Sequence, residues 1–171
     1  LENYLAKLLK AGKRVAICDQ LSDPTLPGIV RRDVTQVVTP GTTLVDSTLK
    51  NKSNNYIASL ILEKNIWGLA VCDLTTGEFQ LAETADFNLL KSELFRLNVS
   101  EVIVASDLTN DSRYAEFIST LRNVGVFQPT SIFINSYQTL VDHFKIKNLS
   151  AFGVEELKQA IEASGRLLGY L

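Results

Sequence analysis

The sequence lacks several features that would at once define a class of protein. It contains no methionine, one tryptophan, one histidine and two cysteines in 171 residues. Cys18 and Cys72 are too few for a disulfide framework or a thiolate metal site, so we expect two buried, reduced thiols. No apolar run reaches the ~18 residues of a membrane span, and no basic, apolar leader opens the chain. These absences indicate a cytoplasmic protein with no membrane partner.

The composition is that of a folded protein, with 46% apolar and 21% charged residues. Its charge is uneven. Residues 1–53 carry eight Lys or Arg against five acids, whereas residues 54–171 carry nine against fourteen. The first third is therefore better placed to meet a polyanion. Because the sequence starts at Leu1 and contains no methionine, we expect it to be a piece of a longer protein.

Residues 1–53 predict one helix, two strands and a linker. Apolar residues recur at helical spacing in the first segment, and β-branched residues dominate the third. The predicted elements are a helix over 3–11, strands over 14–18 and 29–39, a break over 39–42, and a short helix or linker over 43–53. The predicted inward face of the helix is formed by Tyr4, Leu5, Leu8 and Leu9.

Residues 54–171 predict three hairpin-linked strands followed by alternating helices and strands. The predicted strands span 56–62, 67–74, 78–84, 101–105 and 131–134, and the helices span 86–97, 112–122, 136–145 and 154–171. The order from residue 54 is β-β-β-α-β-α-β-α, which predicts one mixed sheet with helices on its faces. This α/β order is typical of the ribonuclease-H-like architecture. For the helix over 136–145 we expect inward Tyr137, Leu140, Val141 and Phe144.

The obvious enzyme with this order is a metal-dependent nuclease, which clusters carboxylates around two ions. The strand over 56–62 contains no acid, and neither Asp73 nor Glu101 has an evident acidic partner. The turn from Asp73 to Gly77 is more simply a hairpin turn than a phosphate-binding turn, and no P-loop motif occurs. We therefore expect no catalytic residue and no metal. A stand-alone nuclease and a small-ligand binding module remain the alternatives.

Four segments resemble the MutS family, in the family's own order along the chain. Residues 3–24 resemble the second half of its mismatch-recognition domain, and residues 29–42 resemble the strand that leaves that domain. Residues 73–79 resemble the early hairpin of its connector domain. Residues 152–155 and 163–171 resemble the entry into its core and lever region.

The resemblance implies a division of the chain and a function. Residues 1–42 would end a partial α+β mismatch-recognition domain, 43–53 would be a linker, 54–150 would form a ribonuclease-H-like connector, and 151–171 would start the helical core. The family recognises mismatched double-stranded DNA and starts mismatch repair with ATP, Mg and MutL. The resemblance implies that this piece couples the DNA-reading and ATPase ends without catalysis or a cofactor of its own. It also implies a homodimer formed through domains outside the sequence.

Two sets of surface residues are candidates for contacts with those partners. The basic side chains suited to the DNA backbone are Lys7, Lys10, Lys13, Arg31, Arg32 and Lys52. For MutL, the outer face of the helix over 136–145 offers Gln138 and Thr139. Because residues 1–42 would be only part of a domain, we also expect them to leave strand edges and apolar surface exposed.

Overall fold

The computed structural model describes residues 2–22, 29–43, 54–124, 126–130 and 135–171. Seven strands lie in this part of the chain: β1 Val15–Gln20, β2 Arg32–Val38, β3 Tyr56–Glu63, β4 Ile66–Asp73, β5 Glu78–Thr84, β6 Glu101–Ala105 and β7 Val126–Thr130. The α-helices there are α1 Glu2–Lys10, α2 Phe87–Leu97, α3 Ser106–Thr109, α4 Ala115–Val124, α5 Ser136–Phe144 and α6 Lys158–Tyr170. No helix in these residues is long and apolar enough to cross a membrane.

The first unit is α1 packed on a two-stranded antiparallel ribbon of β1 and β2. Leu5, Leu9 and Val38 are buried together where the helix meets the ribbon. Tyr4 and Leu8, predicted to face inward, are 74% and 44% exposed, because a single two-stranded ribbon covers only one narrow stripe of a helix.

Much of the ribbon is also open to solvent, as we predicted for this part of the chain. Ile29 is fully exposed, and Val34 and Val37 are about half exposed. The prediction of two buried thiols is wrong for Cys18, which lies on β1 and is exposed, whereas Cys72 on β4 is buried. Because α1 covers only part of the β1–β2 ribbon, the remaining side chains of the ribbon are exposed.

The second unit is built on a five-stranded mixed sheet of order β5-β4-β3-β6-β7. The pairs β3–β4 and β4–β5 are antiparallel hairpins, whereas β6 runs parallel to both β3 and β7. Lys64 and Asn65 both adopt positive φ, which is the backbone that a tight two-residue hairpin needs between β3 and β4. Gly77 has φ of +75° in the next turn, between β4 and β5.

Alternating residues of the sheet divide between two cores. On one face, Ala58 and Leu60 pack with Trp67 beneath α2 and α4. On the other face, Ile57 and Ile103 pack with the underside of α6. Because both faces are covered, the central strands are apolar at nearly every position rather than at every second one.

Helix α6 lies directly on the sheet at its second face. A Cβ at Gly68 on β4 would lie 2.1 Å from the backbone oxygen of Gln159, so the strand approaches the helix backbone itself. The first turn of α6 is capped by Glu83 of β5, whose carboxylate accepts hydrogen bonds from the backbone N–H groups of Gln159 and Ala160. Residues 158–170 therefore cover the second face of the five-stranded sheet, and the start of a helical core domain at residue 151 stays a prediction.

Three predicted elements differ from the structure or lie outside it. The strand predicted over 131–134 lies outside the described residues, and the last strand of the sheet is β7, Val126–Thr130. Most of the linker predicted over 43–53 is also outside them. Tyr137 and Phe144, predicted to face inward on α5, are 37% and 42% exposed because α5 packs mainly on α6 and meets the sheet at its edge, where Phe144 contacts Phe79 of β5.

The contact of α6 with the sheet predicts that Gly68 cannot carry a side chain. We expect Gly68→Ala to lower the free energy of unfolding by about 1–3 kcal/mol, because the added methyl group forces the helix away from β4. Urea denaturation followed by circular dichroism measures the change. Ser92→Ala, on the exposed side of α2, is the control and should change stability by less than about 0.5 kcal/mol. An unchanged Gly68→Ala variant would contradict the close contact.

Candidate functional site

The loop that leaves the first unit is docked on the sheet of the second. Residues 39–43 follow β2 and form a tight turn, in which the N–H of Thr39 donates to Oγ1 of Thr42 at 3.1 Å. The hydroxyls of Thr39 and Thr42 are 2.8 Å apart. This turn, the 39–43 turn, lies where the parallel strands β3 and β6 begin.

Glu101, the first residue of β6, is the centre of the contact. Its side chain is completely buried. Oε2 accepts hydrogen bonds from Oγ1 of Thr39 at 2.5 Å and from the N–H of Gly41 at 3.2 Å. Oε1 accepts a hydrogen bond from the hydroxyl of Tyr170, the last residue of α6, at 2.5 Å. One carboxylate therefore joins the 39–43 turn, the sheet and the end of α6.

Asn55, just before β3, is a second anchor for the same turn. Its side-chain amide donates to the carbonyl oxygens of Pro40 at 3.0 Å and Gly41 at 3.1 Å. Its Oδ1 accepts a hydrogen bond from Oγ of Ser100 at 2.6 Å. The side chain is thus held from both ends, which fixes its orientation.

Only glycine fits at position 41. A Cβ there would lie 2.6 Å from the side chain of Ile57 and 2.8 Å from the carboxylate of Glu101. Because both neighbours are fully buried, neither can move aside without opening the core. The absence of a side chain lets the backbone of the turn reach the carboxylate.

The surroundings of Tyr170 favour its neutral form. Burial is the main cause of its raised pKa, and the hydrogen bond to Glu101 and the negative charge of that residue raise it further. Thr39 and the positive charge of Arg14 act in the opposite direction. The phenol therefore remains a hydrogen-bond donor to Glu101 over the whole neutral pH range.

Asp73, the other buried acid of the sheet, belongs to a separate turn. It ends β4 and accepts hydrogen bonds from the N–H and Oγ1 of Thr75, at 2.8 and 2.6 Å. Burial alone would raise its pKa, but hydrogen bonds from Thr75, Thr76 and the backbone of Asn55 lower it below the usual value. In the part of the chain that the structure describes, no three His, Cys, Asp or Glu side chains lie together as a metal site requires.

The predicted DNA contacts all lie on the first unit or outside the described residues. Lys7 and Lys10 are exposed on α1, and Lys13 is exposed in the segment between α1 and β1. Arg31 and Arg32 are exposed at the start of β2, so the five side chains share one unit but not one element. Lys52 lies outside the described residues.

The predicted partner-docking residues sit on the first turns of α5. Gln138 is exposed, and its amide donates to Asp142 at 2.7 Å. Thr139 was predicted to be exposed but is half-buried. Its hydroxyl donates to the carbonyl oxygen of Asn135 at 2.9 Å, because a threonine one turn into a helix can satisfy itself on the preceding turn.

Sequence reasoning did not find the junction formed by Glu101, Asn55 and Tyr170. One signal was available: Glu101 opens the run Glu-Val-Ile-Val-Ala, in which every residue is buried. An acid in a wholly buried strand needs hydrogen-bond donors from elsewhere in the chain. The donors come from residues 60 or more positions away, so the sequence alone does not identify them.

Comparison with known proteins places both units in one family. Residues 1–47 match the family model of MutS domain I, and residues 55–171 match that of MutS domain II. Proteins described as DNA mismatch repair protein MutS are similar over nearly all of the chain. They include those of Symbiobacterium thermophilum at 43% identity, Parabacteroides distasonis at 40% and Trichormus variabilis at 37%.

These alignments cover 99 to 100% of this chain and 20 to 21% of each relative. The chain thus spans about a fifth of the length of the relatives that it matches. The two units and the junction between them therefore correspond to two successive domains of one protein class. The chain belongs to the MutS family of DNA mismatch repair proteins.

The buried network predicts that Glu101 is important for stability. Glu101→Ala removes the acceptor for three donors, those of Thr39, Gly41 and Tyr170. Each buried donor left unsatisfied costs about 1–3 kcal/mol, so we expect the free energy of unfolding to fall by at least about 2 kcal/mol. Fluorescence of Trp67, which is 3% exposed, follows the transition. Glu116→Ala, on the exposed side of α4, is the control, and an equal effect of the two changes would contradict the network.

The raised pKa of Tyr170 predicts a loss of stability in alkaline solution. A tyrosine in the unfolded chain ionises at about pH 10, whereas the folded chain keeps Tyr170 protonated to higher pH. Its contribution is therefore fully present below about pH 10 and declines as the pH rises further. We expect Tyr170→Phe to make this decline shallower in urea titrations between about pH 9 and 11.

Tyr56→Phe is the comparison for the alkaline measurement. Tyr56 donates to Glu78 at 2.7 Å, and this hydrogen bond is the main cause of its raised pKa. Tyr56→Phe should remove the part of the alkaline loss of stability that is due to Tyr56 and leave the part that is due to Tyr170. An identical pH dependence of the unchanged protein and Tyr170→Phe would contradict the assignment.

Proposed function

We propose that this chain is the joint between the DNA-reading end and the ATPase end of a MutS-type protein. The junction at Glu101 supports this most directly, because it fastens the segment that leaves the first unit to the sheet of the second. A flexible linker alone would let the two units move independently. A buried, hydrogen-bonded contact makes a displacement of one unit act on the other.

We also propose that the second unit is a ribonuclease-H-like connector without catalytic activity. The strand order, with three antiparallel strands followed by two parallel ones, supports this architecture. Asp73 and Glu101 are the two buried acids among the side chains that the structure describes there, and each is engaged by protein hydrogen-bond donors. Both acids therefore serve the fold, and the nuclease alternative has no support from their arrangement.

The proposed function places the protein in mismatch repair in the cytoplasm. We propose that the whole protein binds mismatched double-stranded DNA, works as a homodimer, and holds ATP and Mg in domains other than these two. In this chain, Lys7, Lys10, Lys13, Arg31, Arg32 and Lys52 would contribute contacts to the DNA backbone. Such contacts hold the duplex without reading its sequence.

The exposed side of α5 is the proposed docking surface for MutL. Gln138 offers an amide at the first turns of the helix, next to Thr139. This helix packs on α6, and α6 ends at Tyr170, which contacts Glu101. A partner bound to α5 would thus be connected to the junction through α6.

Binding of the chain to MutL and to a plain DNA duplex, each at about 50 and 200 mM salt, tests this function. We expect DNA binding to weaken steeply with salt, because phosphate contacts release counterions, and MutL binding to change little. Replacing both Lys7 and Lys10 with alanine should lower the salt slope for DNA by about two and leave MutL binding unchanged. Lys91→Ala, an exposed lysine on α2, is the control for DNA.

Gln138→Arg tests the docking surface. We expect it to weaken MutL binding at least about fivefold, as truncation of a contributing interface residue does, with DNA binding unaffected or slightly stronger. Ser119→Arg adds the same charge to the exposed side of α4 and should leave MutL binding intact. If neither ligand binds the chain, or if Gln138→Arg and Ser119→Arg behave alike, the proposed docking role is wrong.

A further inference from the structure

We propose that Glu101 is the positioning residue through which the 39–43 turn and the carboxyl end of α6 control each other. The inference rests on the proposed function, since it names the side chain that carries the coupling between the two ends of the joint. The two ends do not share a secondary-structure element. Both ends hydrogen-bond to the carboxylate of Glu101, and the Thr39 hydroxyl also interacts directly with the Tyr170 phenol.

The two oxygens of this carboxylate serve opposite sides. Oε2 holds Thr39 and Gly41 of the turn, while Oε1 holds Tyr170 of the helix. Because the side chain is completely buried, water cannot replace a donor that leaves. Release of one side therefore changes the hydrogen bonding and the orientation of the carboxylate that the other side needs.

Because α6 is anchored elsewhere, a change in the orientation of the Glu101 carboxylate acts on the last turn of this helix. The helix begins under the carboxylate of Glu83, which caps the N–H groups of Gln159 and Ala160. The same turn lies so close to β4 that Gly68 admits no side chain, and in the middle of the helix Ala163 is completely buried in the core with Ile57 and Ile103. With the start and the middle fixed, Tyr170 is the end of α6 that a shift of Glu101 can move.

Native-state hydrogen exchange in the 171-residue chain tests the proposal in both directions. Tyr170→Phe should speed exchange of the Gly41 amide, and Thr39→Val should speed exchange of the Leu171 amide, which donates to Leu167. We expect each exchange rate to rise about fivefold or more relative to the rate of the Ala70 amide in β4, which reports global opening. Effects in both directions are required, because linkage between two sites is reciprocal.

Two further variants separate coupling from simple loosening. Ser136→Ala disturbs α6 from the α5 side, where Ser136 donates to Glu162 at 2.8 Å, and should leave Gly41 unchanged. In a Glu101→Gln background, which keeps the size of the side chain, adding Tyr170→Phe should no longer alter exchange at Gly41. If the Glu101→Gln chain does not fold, Glu101→Asp, which keeps the charge and shortens the reach to both sides, takes its place.

The outcomes distinguish this inference from the proposed function. If Tyr170→Phe and Thr39→Val each loosen only their own side, Glu101 is a local structural contact and the proposal is wrong, whatever the MutL and DNA measurements give. If Ser136→Ala loosens Gly41 as strongly as Tyr170→Phe does, the effect spreads through the whole helix and the proposal is also wrong. Reciprocal effects that Ser136→Ala does not reproduce, and that the change at Glu101 abolishes, support Glu101 as the coupling residue, even if MutL docks elsewhere.

Discussion

The completely buried carboxylate of Glu101 is the constraint on which the arrangement of the two units depends. A carboxylate taken out of water must be surrounded by donors, and no single element of this fold supplies enough of them. The turn after β2 and the end of α6 must therefore both be in place before Glu101 is satisfied. The chemical requirement of one side chain thus becomes a geometric requirement on segments that are far apart in the sequence.

Close contacts between backbones give this junction a rigid base. Gly41 lets the turn approach Glu101, and Gly68 lets β4 approach α6, so in both places the missing side chain decides the spacing. The sheet's other buried acid, Asp73, organises a hairpin turn rather than a ligand site. In this member of the MutS family, both buried acids of the sheet accept hydrogen bonds from the protein itself.

The sequence predicted the second unit well, because hairpin signals and apolar periodicity are local properties. The sequence does not predict β7, Val126–Thr130, which contains Pro129 and lies at the edge of the described sheet, where a proline is tolerated. The exposure of Tyr4 was also missed, since periodicity identifies an apolar stripe but not how much of it a neighbour covers. The junction at Glu101 depends on donors distant in sequence, so no local pattern identifies it.

The two thiols of the chain differ in a way that has a practical consequence. Cys18 is exposed on the ribbon, whereas Cys72 is buried in the sheet, where burial and the negative charge of Asp73 raise the pKa of its thiol. A maleimide dye should attach to the first without unfolding the protein, because it needs an accessible sulfur. Modification of Cys72 requires the five-stranded sheet to open, so the rate of this modification measures how often the sheet opens.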